Sequence, residues 1–93
     1  MDIKIKTHPS NMGWHFSVTV TDENSQGEYT VTMDKDFVTR IGASLEPEKV
    51  VEKSFEFLLE REPKENILQE FDITVISHYY PDFISELEKK LIF

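Results

Sequence analysis

The chain has 93 residues, 39% hydrophobic and 30% charged, with ten Lys and Arg against eighteen Asp and Glu and no Cys. That length supports one domain built on one core, and the composition is that of a folded chain rather than a disordered one. A net charge of −8 repels phosphate backbones and argues against nucleic acid as a partner, and zero Cys excludes disulfides, thiolate nucleophiles and Cys-based zinc sites.

The opening residues, Met1-Asp2-Ile3-Lys4-Ile5-Lys6, lack the apolar stretch of a signal peptide, and no apolar run approaches the ~18 residues of a membrane helix. The expectation is a cytoplasmic protein with no membrane partner.

The first third alternates with the period of a strand. Ile3 and Ile5 alternate with Asp2, Lys4 and Lys6; Trp14, Phe16, Val18 and Val20 with His15, Ser17, Thr19 and Thr21; Tyr29, Val31 and Met33 with Glu28, Thr30 and Thr32. Neighbouring side chains of a strand point to opposite faces, so this pattern predicts a three-stranded antiparallel meander with one apolar and one polar face. The connections are read at His8-Pro9-Ser10-Asn11-Met12-Gly13 and Asp22-Glu23-Asn24-Ser25-Gln26-Gly27, both rich in turn residues.

The period then lengthens. Asp34 can cap a short helix from Lys35 to Ile41, with Gly42 as its stop. Pro47 can open a longer helix that reaches about Arg61 or Glu62 before Pro63. Its apolar residues, Val50, Val51, Phe55, Phe57, Leu58 and Leu59, spread over roughly half the circumference, which predicts a central helix with the sheet on one side and later helices on another. Two or three short helices are expected to follow. Pro63 opens one carrying Ile67, Leu68 and Phe71; Asp72 caps a turn or two through Ile73, Val75, Ile76 and Tyr79; Pro81 opens the last, with Phe83, Ile84, Leu87 and Leu91 inward and Glu86, Lys89 and Lys90 outward. The fold class is therefore α+β.

The stretch Ser54-Phe55-Glu56-Phe57-Leu58-Leu59-Glu60-Arg61-Glu62-Pro63-Lys64-Glu65, continued by Ile67-Leu68, Phe71-Asp72, Val75-Ile76 and Tyr79-Tyr80-Pro81, resembles a recurrent segment in a family of short uncharacterised prokaryotic proteins. In that family a strand and a short helix precede a similar SFEFLLEREP helix. The resemblance runs from about Tyr29 onward; Asn66 stands where the family pattern has Ser, and the N-terminal strands are longer than usual for it. It implies no activity, cofactor or functional residue.

The residues themselves offer few chemical constellations. His8 and His15 lie seven residues apart and His78 far along the chain, without the short spacing of a zinc or nickel site. Asp72 and Asp82 stand before helices, where capping explains them. No Ser, Thr or Lys has a nucleophile context, and the three glycines form no phosphate-binding loop. Nothing calls for a cofactor, a metal or an enzymatic reaction.

One pattern does suggest recognition. Glu48, Glu52, Glu56 and Glu60 recur every four residues and form one acidic row along the central helix, flanked by Lys49 and Lys53. The row reads either as a solvated face or as a docking ridge for a protein partner with a basic surface. The final Leu91-Ile92-Phe93 needs a core or a dimer partner to dock on. Together with Trp14 and the tyrosines it suggests more apolar surface than one small core covers, and hence a possible homodimer. The leading expectation is a non-catalytic interaction or accessory protein that self-associates. One alternative is an enzyme with an unrecognised site, for which His78 with Asp82 is a candidate pair; the other is a ribbon-helix-helix-like DNA-binding regulator, from the order strand, short helix, Gly42-Ala43-Ser44 turn and long helix, reading bases with Glu28, Thr30 and Thr32. None of those three is Lys or Arg, the common readers of guanine.

Overall fold

The computed structural model describes residues 1–41 and 47–92, the side chain of residue 92 excepted. Three nine-residue strands open the chain: β1 (Asp2–Ser10), β2 (Gly13–Thr21) and β3 (Gln26–Asp34). They form the expected antiparallel meander, and the fold is α+β. The strands are longer than the alternating residues alone suggest. His8, Pro9 and Ser10 belong to β1, and the first connection shrinks to Asn11 and Met12. Gly13 lets the start of β2 lie close against the end of β3, because a Cβ there would collide with the Met33 carbonyl and the Asp34 backbone. In the second connection the Asp22 carboxylate accepts from Asn24 N and Ser25 N at 2.8 and 2.9 Å, which fixes the tight turn before β3.

Asp34 caps α1 (Lys35–Arg40) by accepting from Phe37 N at 3.1 Å. The predicted stop at Gly42 and the Gly42-Ala43-Ser44 turn lie outside the described residues, as does Phe93. The main helix, α2 (Pro47–Leu59), begins at the predicted proline but ends before Arg61. Residue alternation along it explains its central place. Phe55 faces the sheet, with its ring 5.3 Å from Tyr29 and 6.1 Å from Phe71. Phe57, about 200° further round, faces the C-terminal elements, 5.1 Å from Phe83 and 5.7 Å from Tyr80. Both rings are fully buried, each burial contributing roughly 1.5–3 kcal/mol.

The segment after α2 departs from expectation. Pro63 opens only a 3₁₀ turn, Lys64–Asn66, and not a helix bearing Ile67, Leu68 and Phe71. The chain then extends into β4 (Glu70–Asp72), which runs parallel to β3 with Phe71 opposite Val31. Three residues carry too short a period to separate a strand from a helical turn. The sheet order is β1-β2-β3-β4, so α1 and α2 form the crossover between the parallel strands β3 and β4. Asp72 caps the next turn, Ile73–Val75, accepting from Thr74 N and Thr74 Oγ1 at 3.1 and 2.6 Å. Two helices complete the chain, α3 (Ile76–Tyr79) and α4 (Phe83–Ile92). Phe83 and Leu87 of α4 are buried, while Ile84 and Leu91 pack at the core margin.

Lys64 ties these parts together. Its side chain is 5% exposed, with Nζ 2.6 Å from both Asp22 Oδ2 and Glu65 Oε2, and its carbonyl accepts from Tyr29 Oη at 2.6 Å. Two carboxylate acceptors offset the cost of burying this ammonium. The turn after α2 is thereby bolted to the β2–β3 connection.

Candidate functional site

The acidic row is real as geometry and lies beside the outer strand of the sheet. Helix α2 runs antiparallel to β1. Glu48 Oε2 accepts from Thr7 Oγ1 at 3.1 Å, and further along Glu52 and Glu56 stand near Ile3. Glu60 continues the line just past the last helical residue, its N–H still bonded to the Glu56 carbonyl. Three of the four carboxylates have cationic neighbours: Lys49 near Glu52 at 3.4 Å, Lys53 near Glu56 at 3.3 Å, and Lys90 and Arg61 near Glu60 at 3.0 and 3.3 Å. The Lys90 bond holds the Glu60 carboxyl below its ordinary range. Exposed pairs of this kind contribute at most about 1 kcal/mol and open readily to a competing cation.

Between this flank and β1 lies a groove. Its narrow part, about 180 Å³, is bounded by Ile3, Ile5, Glu48, Lys49 and Glu52. Its wider part, about 540 Å³, is bounded by Met1, Asp2, Ile3, Glu52, Glu56, Leu59 and Glu60. In this wide part three members of the row stand with Ile3 and Leu59, and among the described residues no Lys or Arg lines it. The site combines an apolar floor with an anionic wall, suited to a long cationic side chain whose stem needs cover and whose head needs a counter-charge. Sequence spacing locates the four glutamates; it does not reveal Ile3, Ile5 and Leu59, because no local pattern shows that α2 crosses back over β1.

A second cleft, about 210 Å³, opens between the end of α2, the loop before β4, and α3. Ile67, Phe71 and Ile76 form its floor, Leu68 and Tyr79 its exposed rim, at 50% and 67% exposure. The Tyr80 hydroxyl donates to Glu62 at its edge, and this bond to a carboxylate pushes the phenol upward. Of the residues expected to carry surplus apolar surface, Tyr79 is exposed while Trp14 packs at the core margin; Met1, Met12 and Leu68 are exposed as well.

The histidines are brought together differently from the sequence impression. Register places His8 opposite His15, with rings stacked at 4.7 Å on the polar face and Ser17 Oγ 3.4 Å from His8 Nε2. His78 sits exposed on α3, and Asp82 turns to Arg61 at 3.5 Å. Among the described residues, no group of three or more His, Asp or Glu is arranged to hold a metal ion. On the same polar face Thr32 Oγ1 donates to Asp72 at 2.6 Å. Burial pushes the Asp72 carboxyl up, but the bonds from Thr32 and Thr74 outweigh it and hold the group below its ordinary value.

Glu28, Thr30 and Thr32 lie on β3, which already has a neighbour on each side. A ribbon-helix-helix dimer requires that strand to pair with a second copy, so this sheet cannot form it while β2 and β4 are in place. Among the described residues no helix is long and apolar enough to cross a membrane. Compared with protein-family models, curated proteins and solved structures, the chain has no significant match.

Proposed function

We propose that this protein is a small non-catalytic interaction module that binds a basic protein partner along the groove between β1 and the acidic flank of α2. The observation that supports this most is the wide part of the groove, which Glu52, Glu56 and Glu60 line together with Ile3 and Leu59. A net charge of −8 adds long-range attraction for a cationic surface. Within this reading the glutamates select and steer, and the apolar floor retains.

Affinity purification from the native cell tests it. The wild-type chain and the double variant Glu52→Lys with Glu56→Lys are compared at low and at high salt. A partner with a basic surface is expected on the wild type at low salt, reduced at high salt and absent from the double variant. An equal set of partners on both proteins overturns the proposal.

A further inference from the structure

The hydrogen-bonding parity of the sheet fixes what β1 offers to a partner. Thr30 N donates to the Gln69 carbonyl at 2.7 Å, on the β4 side. In an antiparallel ladder the backbone groups of successive residues alternate between the two sides. The β3 residues that bond to β2 are therefore Tyr29, Val31 and Met33, opposite Val18, Phe16 and Trp14. It follows that β2 bonds to β1 through His15, Ser17 and Thr19, opposite His8, Lys6 and Lys4. The N–H and C=O groups of Ile3, Ile5 and Thr7 point outward, and no strand lies beyond them among the described residues. Pro9 shares their parity and has no N–H, which ends the row of donors. Ile3 and Ile5, two residues of this outward row, also line the groove.

We infer that the partner contributes an extended segment that adds to β1 as a fifth strand, with its basic side chains turned into the groove. This rests on the groove reading above and specifies its mode. Backbone bonds to Ile3, Ile5 and Thr7 supply affinity independent of sequence, and alternate side chains supply selectivity. Side chains on the α2 side meet Ile3, Leu59 and the carboxylates of Glu52 and Glu56; Lys, Arg or an aliphatic residue fits there. Side chains on the opposite side stand beside Lys4 and Lys6 of β1; Asp, Glu or Thr fits there. The occupant is a strand that alternates basic or aliphatic residues with acidic or polar ones.

A second copy of this chain does not meet that description. An antiparallel pair of β1 strands brings Lys4 and Lys6 near their own counterparts and places two acidic rows beside one seam. Both contacts repel.

Fluorescence polarisation with the full chain tests the inference. The probe is a labelled synthetic peptide of about nine residues, the length of β1, with Lys and Val on one face and Glu and Thr on the other. Two twins carry backbone N-methyl groups, one at the Lys and Val positions, one at the Glu and Thr positions. The expected result is saturable binding that drops at least about tenfold for the first twin and less for the second, and that drops similarly in Glu52→Lys with Glu56→Lys. The twins leave the protein unaltered, so folding of a variant does not confuse the result. If all three peptides bind equally and the double variant abolishes binding, the acidic groove stands and strand addition falls. If the unmodified peptide shows no saturable binding below about 1 mM, or binds the double variant as tightly, both readings fall.

Discussion

The sheet ends in two outer strands that differ in length, in cover and in charge. β4 has three residues; Phe71 is clamped beneath it on Phe55, and Asp72 is bonded to Thr32 and Thr74. β1 has nine residues, with Lys4 and Lys6 on one face and half-buried Ile3 and Ile5 on the other. Shortening an edge removes it as a template for association, and charging it only restricts which chains can pair with it. The molecule uses the first device on one side and the second on the other. On the proposed reading, recognition belongs to β1 and structural closure to β4.

The largest expected effect lies on the closed side. Phe55→Ala removes a fully buried ring that touches Tyr29 and Phe71, and is expected to cost about 3–5 kcal/mol in denaturant unfolding. The matching change on the open side, Ile3→Ala, removes a half-buried side chain and is expected to cost nearer 1 kcal/mol. Equal losses would erase the distinction between the two edges.

A smaller effect appears in acid. The Lys64 ammonium, with the N–H groups of Asn24 and Ser25, brings the Asp22 carboxyl from 3.8 down to about 2. A carboxyl depressed in the folded state stabilises it above the unfolded pKa, and this contribution disappears as pH falls through the folded value. The Asp22 contribution is therefore complete above about pH 4 and lost as pH falls toward 2. Thermal unfolding of Asp22→Asn is expected to show a lower Tm than wild type at pH 6 and a shallower fall of Tm between pH 4 and 2. Parallel Tm curves would show that the Lys64 bolt does not act through this charge.

What the sequence disclosed follows the range of the interactions. Two-residue alternation at Trp14–Val20 and Tyr29–Met33 needs no distant information, and the meander was legible from it. The Asp34 and Asp72 caps and the start of α2 at Pro47 are equally local. The broad apolar arc of α2 identified a central helix, because Phe55 and Phe57 must each find a separate neighbour. The stretch from Pro63 to Phe71 reads as a helix in sequence and instead forms a 3₁₀ turn and the start of β4. Its conformation is imposed from outside: Lys64 is held by Asp22 of a distant turn, and β4 exists only because Thr30 and Thr32 of β3 present free backbone groups to it. The candidate site was half legible for the same reason. Spacing alone aligned Glu48, Glu52, Glu56 and Glu60, whereas the floor of Ile3, Ile5 and Leu59 depends on how α2 returns across β1. The stacked His8 and His15 were missed because the hairpin turn is two residues long rather than six.

Backbone amide hydrogen exchange of β1, followed by NMR with and without the alternating peptide, addresses the open edge residue by residue. The account predicts that the amides of Ile3, Ile5 and Thr7 exchange rapidly in the free protein and become protected on binding, while Lys4 and Lys6, already bonded to β2, stay unchanged. Peptide binding that leaves Ile3, Ile5 and Thr7 unprotected, or that protects residues 67–80 instead, would contradict it.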